Sequence, residues 1–215
     1  MKIGILGTGI VGQTIGSKLI HLGNIVKMGS RTSNNEKALE WIKSNGTNAY
    51  NGTFEDAASF GEILFNCTAG NASINALKLA GEQNLNGKIL IDLANTLDFS
   101  KGMPPTLSVC NDDSLGEQIQ RTFPKLKVIK TFNTMNCKLM VEPSLVKGDH
   151  DVFVCGNNSD AKEKVKSILV EWFGWKSIID LGDITASRGV EMLLPIWIRL
   201  MGIYKTPNFN FKIVQ

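Results

Sequence analysis

The chain has 215 residues, 43% of them hydrophobic and 20% charged, with ordinary glycine and proline content and a net charge of +3. That balance excludes a disordered or fibrous protein and suits one domain around a single large core. The basic excess is scattered, so no nucleic-acid partner is expected.

The apolar run Lys2-Ile3-Gly4-Ile5-Leu6 leads into Gly7-Thr8-Gly9-Ile10-Val11-Gly12, and Val11, Ile15, Leu19 and Leu22 follow at helical spacing. Strand, turn and helix are predicted. In such a turn Gly7 takes the tight bend, Gly9 lets the backbone approach a pyrophosphate, and Gly12 lets helix and strand pack closely, with Gly16 continuing that side. The phosphates would meet free N–H groups at the positive end of the helix.

A second strand, Asn24 to Met28, ends where a dinucleotide's adenosine ribose would lie. NAD-binding chains usually place an acid there to bond the ribose hydroxyls. Here Gly29-Ser30-Arg31-Thr32-Ser33 offers hydroxyls and one guanidinium instead, which suit a 2′-phosphate. NADP is therefore the expected cofactor, held by Ser30, Arg31 and Thr32 or Ser33. The simpler alternative leaves Arg31 solvated and makes Ser33 the N-cap of the next helix.

Strand and helix signals then alternate: a polar helix over 34–45, a weak strand at Ala49 and Tyr50, a short helix over 55–60 and a strand over 62–67. A helix over 71–80, a strand over 88–93, a helix over 114–123 and strands over 127–132 and 151–156 come next. A helix over 159–173 precedes a last strand at 177–180. This alternation predicts an α/β, Rossmann-type doubly wound, mostly parallel sheet over 1–183, with a C-terminal helical segment over 184–215.

Ligands in such sheets sit beyond the carboxyl ends of the strands, so Cys67-Thr68-Ala69-Gly70, Leu93-Ala94-Asn95-Thr96 and Phe132-Asn133-Thr134-Met135 are expected to line the nicotinamide end. Asn95 and Asn133 can bond a carboxamide or a flat heteroaromatic edge without adding charge, although asparagine at a strand end also serves its own backbone. No general acid stands out. His21 lies late in the first helix and His150 in a loop, whereas reduction of a carbonyl or imine needs a positioned proton donor. A flavin-type ring carries the charge itself, so positioning suffices and no catalytic side chain is assigned. No metal site is expected either. Cys67, Cys110, Cys137 and Cys155 form no C-x-x-C pair and read as reduced thiols. With the cofactor turn so near Met1 and no signal peptide, cytoplasmic residence is expected.

The last stretch, 190–202, is apolar nearly all round but too short, and too interrupted by Glu191, Pro195 and Arg199, to span a membrane. A helix of this kind is buried in its own core or against a second subunit. Trp197, Met192 and Met201 suit an interface, so a homodimer is expected.

The chain resembles the NADP-dependent oxidoreductases that act on the deazaflavin coenzyme F420, and it is also similar to the cytosolic reductase domain of the six-transmembrane ferric reductases. The resemblance rests on residues 7–12, 29–31, 128–133 and 152–156 and on Asp180-Leu181-Gly182 followed by Arg188 and Glu191. It implies that Thr8, Gly9, Ile10 and Val11 wrap the pyrophosphate, that Ser30 and Arg31 hold the 2′-phosphate, and that the strand ends hold the nicotinamide against a flavin-like ring. The acceptor so implied is a small molecule: FMN, FAD or a deazaflavin. Two alternatives stay open: a dehydrogenase or reductase of a small oxo or imino acid, and a non-catalytic NADP sensor module.

Overall fold

A computed structural model describes all 215 residues. The first half repeats strand and helix: β1 (Lys2–Leu6), α1 (Ile10–His21), β2 (Ile25–Ser30), α2 (Glu36–Asn45), β3 (Ala49–Thr53), α3 (Phe54–Phe60), β4 (Ile63–Asn66), α4 (Gly70–Ala80), the one-turn α5 (Glu82–Leu85) and β5 (Ile89–Asp92). A small hairpin of β6 (Leu97–Asp98) and β7 (Thr106–Leu107) interrupts the pattern. Then come α6 (Leu115–Thr122), β8 (Lys127–Thr131), the short α7 (Cys137–Val141), β9 (Val152–Cys155), α8 (Ser159–Glu171), β10 (Ile178–Asp180), α9 (Ser187–Met192) and α10 (Leu194–Tyr204).

The main sheet has eight strands in the order β10-β9-β8-β5-β4-β1-β2-β3. Counted from the β3 edge, the first six follow the doubly wound order, with the direction of winding switching between β1 and β4. All pairs are parallel except β8 with β9, where Lys130 stands opposite Cys155. The fold is thus the expected α/β, Rossmann-type, mostly parallel sheet.

Helices cover both faces, so the inner strands are mostly apolar, and alternate residues of one strand feed different cores. Ile3, Ile5, Phe65, Ile91 and Ile129 join Ile15, Trp41, Val165 and Trp175 in one core. Leu6, Leu64, Leu90 and Val128 join Leu77, Ile119 and Ala57 in the other. The N-cap of α2 is Asn35, whose Oδ1 accepts from the Ala38 N–H at 3.1 Å, and not Ser33. Ser33 lies too early in the chain to reach that turn.

The C-terminal stretch forms two helices where one was expected, because Pro195 starts a new helix at a position where a missing N–H costs nothing. Ser187, Val190 and Glu191 of α9 are buried, whereas Leu194 is the one buried residue of α10. The tail then turns back to β9. The buried carboxylate of Asp151 accepts from Ile213 N–H at 2.7 Å, Ser177 Oγ at 2.6 Å and Lys212 Nζ at 3.0 Å. Phe209 stacks on Trp197 at 5.3 Å between ring centroids. No helix is long and apolar enough to cross a membrane, and all four cysteines are free.

Candidate functional site

The loops leaving β1, β2, β4 and β5 bound a cleft in two parts, one on each side of the glycine turn. Gly7 has φ of +117°, a backbone state that L side chains rarely adopt, and a Cβ there would sit 2.6 Å from the Cys67 carbonyl oxygen. A Cβ on Gly12 would run into the Gly7 carbonyl, so this glycine sets how closely α1 approaches β1. Gly9 is different. A Cβ there meets nothing within 4 Å, so the space above it is open, and as N-cap it makes no side-chain cap bond to α1. The first N–H groups of a twelve-residue helix are left to whatever occupies the turn. Ile10 is exposed at that helix start, and Val11 is half-buried on the cleft wall.

On the β2 side a space of about 470 Å³ is lined by Gly7, Thr8, Ser30, Arg31, Thr32, Asn35 and Phe54. Ser30 is buried and its Oγ donates to the Thr32 carbonyl at 2.6 Å, so it fixes the turn and keeps only acceptor capacity toward the cleft. Arg31 and Thr32 are exposed, and Arg31 takes part in none of the ion pairs of the fold. A free guanidinium beside an open glycine turn fits an anion of phosphate geometry.

On the β4–β5 side a space of about 350 Å³ is lined by Val11, Cys67, Thr68, Ala69, Gly70, Asn71, Leu93, Ala94, Asn95, Leu97 and Phe99. Asn95 and Asn133 do come together, but only Asn95 reaches the wall. Asn133 is buried behind it: its Nδ2 donates to Asn95 Oδ1 and to the Val190 carbonyl, both at 3.0 Å, and its own carbonyl accepts from Asn95 Nδ2 at 2.9 Å. With both amide protons committed, Asn133 orients Asn95 and has no proton left for a ligand. Just before it, the buried Phe132 holds φ of +65°, a costly state for a bulky residue, kept in place by edge-on packing against Phe173 at 5.4 Å. Burial and the nearby Asp92 push the Cys67 thiol above its ordinary range, so it stands in the cleft as a neutral thiol.

Beneath the floor lies a polar chain. Asn66, Asp92 and Lys130 stand in register on β4, β5 and β8, each near its strand's carboxyl end. Thr68 Oγ1 donates to Asn66 Oδ1 at 2.7 Å, and Asn66 Nδ2 donates to Asp92 Oδ1 at 2.7 Å. Lys130, fully buried, donates to Asp92 Oδ2 at 2.9 Å, Glu191 Oε1 at 2.8 Å and the Ala94 carbonyl at 2.5 Å. All three ammonium protons are used, and Ala94, part of the cleft floor, is gripped from both sides, since its N–H also donates to Asp92 Oδ1 at 3.3 Å. Glu191 in turn accepts from the Leu115 and Gly116 N–H groups at the start of α6, at 2.9 and 3.1 Å. The adjacent residues Val190 and Glu191 thereby tie α9 to the cleft floor by two routes.

Sequence reasoning missed Asn35, Phe54, Asn71, Leu97 and Phe99 as lining residues, and it missed the Asn66–Asp92–Lys130–Glu191 chain. The signal for the chain was present: a polar residue at or near the end of each of three otherwise apolar strands. The lining residues gave no such signal, because they lie outside the strand-end segments. His21 is exposed at the end of α1. His150 is pinned between the Pro143 carbonyl at 3.0 Å and Asn210 Nδ2 at 2.9 Å, edge-on to Trp175, and lines neither part of the cleft.

The chain is similar to several known proteins. The sequence model described as "NADP oxidoreductase coenzyme F420-dependent" matches residues 2–96. An F420-dependent NADP reductase of Methanocaldococcus jannaschii is 30% identical, over 100% of this chain and 99% of its own. The rat metalloreductase STEAP3 is 28% identical over 91% of this chain but only 38% of its own length. Among solved structures, a putative F420-dependent NADP reductase from Arthrobacter sp. FB24 superposes with a TM-score of 0.94 at 51% identity, both chains covered in full. An imine reductase of Myxococcus stipitatus in complex with NADP+, at 16% identity, TM-score 0.67 and coverage of 95% of this chain and 64% of its own, shares the fold alone.

Proposed function

The chain belongs to the coenzyme F420-dependent NADP oxidoreductase family and is an NADP-dependent oxidoreductase, and on that premise we propose that it passes hydride between NADPH and a flavin or deazaflavin acceptor. The residues fit the cofactor. The open space over Gly9 and the uncapped start of α1 suit the pyrophosphate, with Thr8, Ile10 and Val11 around it. Arg31, with Thr32 and the Ser30 oxygen, suits the 2′-phosphate. Cys67, Thr68, Ala69 and Asn95 then border the nicotinamide, and Asn133 serves by holding Asn95. When bound, NADPH supplies the hydride; the chain's own part is to orient the two rings and keep water from between them.

The observation that carries the acceptor reading is the lining of the β4–β5 side. Val11, Ala69, Leu93, Ala94, Leu97 and Phe99 surround the amides of Asn71 and Asn95, a neutral, mostly apolar slot suited to a flat heteroaromatic ring. Lys130, the one cation under its floor, has every proton already donated. Anaerobic oxidation of NADPH should be followed with riboflavin, FMN, FAD, a deazaflavin, Fe(III) chelates and small oxo acids. Rapid turnover with a ring acceptor is expected. Turnover with an oxo acid alone would overturn the reading, and firm NADP binding without turnover would favour a sensor module.

The same reading includes a homodimer built on α10. Ile196, Ile203 and Tyr204 on this helix are 51%, 69% and 59% exposed, an apolar surface that a second copy would cover. Sedimentation at micromolar concentration should give twice the monomer mass, and a monomer would end the idea. Cytoplasmic residence is part of the reading too, supported by the four free cysteines.

A further inference from the structure

The β6–β7 hairpin is outside the cofactor contacts assigned above, yet its Leu97 and Phe99 form the outer wall of the cleft. We propose that Phe99, carried on the β6–β7 hairpin, is the platform on which the acceptor's ring stacks, and that the enzyme selects acceptors by a flat, uncharged ring rather than by a charged tail. This rests on the flavin-type reading above.

The hairpin is held firmly. Leu97 pairs with Leu107 and Asp98 with Thr106, and below them Ser108 N–H donates to the Thr96 carbonyl at 2.8 Å while Thr96 Oγ1 donates to the Val109 carbonyl at 3.0 Å. At its outer end the Phe99 carbonyl accepts from Gly102 N–H at 2.9 Å, and Asp98 Oδ1 accepts from Ser100 N–H at 2.8 Å. An anchored backbone therefore presents an aromatic side chain that remains 56% exposed.

That side chain shares one cleft with Val11 of the glycine turn and with Cys67 and Thr68 of the nicotinamide side, so the surface continues the dinucleotide site outward. The polar groups beside it, Thr68, Asn71 and Asn95, are uncharged donors and acceptors that suit the edge of a ring. No lysine or arginine lines this part of the cleft to grip a phosphate or carboxylate. Stacking on an aromatic side chain needs only a π-face, and so it tolerates different tails on one ring.

The test uses the full-length protein saturated with NADP+, titrated with riboflavin and separately with FMN, alongside steady-state turnover of NADPH with the same two acceptors. Phe99 is exposed, so Phe99→Ala should fold normally. It should weaken riboflavin binding and raise the acceptor KM by about tenfold or more, with NADPH affinity unchanged, and Phe99→Trp should restore both. Wild-type affinities for riboflavin and FMN should agree within about threefold, since the platform does not read the tail. If Phe99→Ala binds and turns over the ring as the wild type does, or loses NADPH affinity equally, the platform is wrong while the acceptor reading stands. Ring binding that depends on Phe99 but gives no turnover leaves the platform standing and removes the acceptor reading. A wild type that binds neither flavin but turns over a deazaflavin overturns the platform alone, and one that takes no ring acceptor at all overturns both.

Discussion

Replacing Lys130 with methionine is expected to destabilise the protein by about 3–5 kcal/mol, because it removes the one cation from a buried cluster of charge. The ammonium is fully buried between Asp92 and Glu191, which are themselves buried. Burial by itself would lower its pKa, but the two carboxylates outweigh that and raise it above the ordinary lysine value, so it stays protonated across the physiological range. Methionine matches the length of the chain but leaves two carboxylates facing each other without a cation. The N–H groups of Leu115 and Gly116 and the amide of Asn66 soften that penalty without cancelling a charge. Urea denaturation measures it directly. The triple variant Lys130→Met, Asp92→Asn, Glu191→Gln removes the charges together and should recover most of the loss. A decrease under about 1 kcal/mol in the single variant would mean that the carboxylates find other partners.

Arg31→Glu is expected to weaken NADPH binding by roughly thirtyfold or more while leaving NADH much less affected. The guanidinium is exposed, ion-paired with nothing, and borders the same space as Gly7 and Thr8. A carboxylate at that place loses the attraction for a 2′-phosphate and adds repulsion, which the 2′-hydroxyl of NADH does not feel. The difference should shrink with added salt, because the site is open to solvent. Fluorescence titration of the two nucleotides reads it, and NADPH affinity unchanged in the variant would remove Arg31 from the cofactor site.

Both substitutions concern residues that differ in how plainly the chain announces them. Arg31 is legible because local rules suffice: a strand end, no acid, and a glycine turn upstream define the place a 2′-phosphate would occupy. Gly7, Gly9 and Gly12 are legible for the same reason. Each has a separate steric role, and the positive φ, the open space and the close helix approach all fall within one turn. Lys130 is different. On the chain it lies one residue before the end of a strand, and nothing nearby indicates that Asp92, 38 residues earlier, and a glutamate on α9 will meet it.

The eight strands of the main sheet and most of the helices followed from the amino-acid order, because apolar periodicity depends on neighbours a few residues apart. The β6–β7 hairpin escaped notice because its strands are two residues long, too short to show a period. The reversal of β9 against β8 also escaped, since an apolar strand carries no mark of its direction. Asn95 and Asn133 could be named as a pair, but only the packing of α9, whose Val190 carbonyl claims an Asn133 proton, decides which amide faces the cleft. By itself, then, the sequence determined the sheet and the glycine turn and carried the expectation of NADP, all local consequences of side-chain spacing and backbone freedom. The tertiary structure alone decided what lies under the cleft floor and what closes its outer wall, because buried charge pairing and cleft walls join residues far apart in the chain.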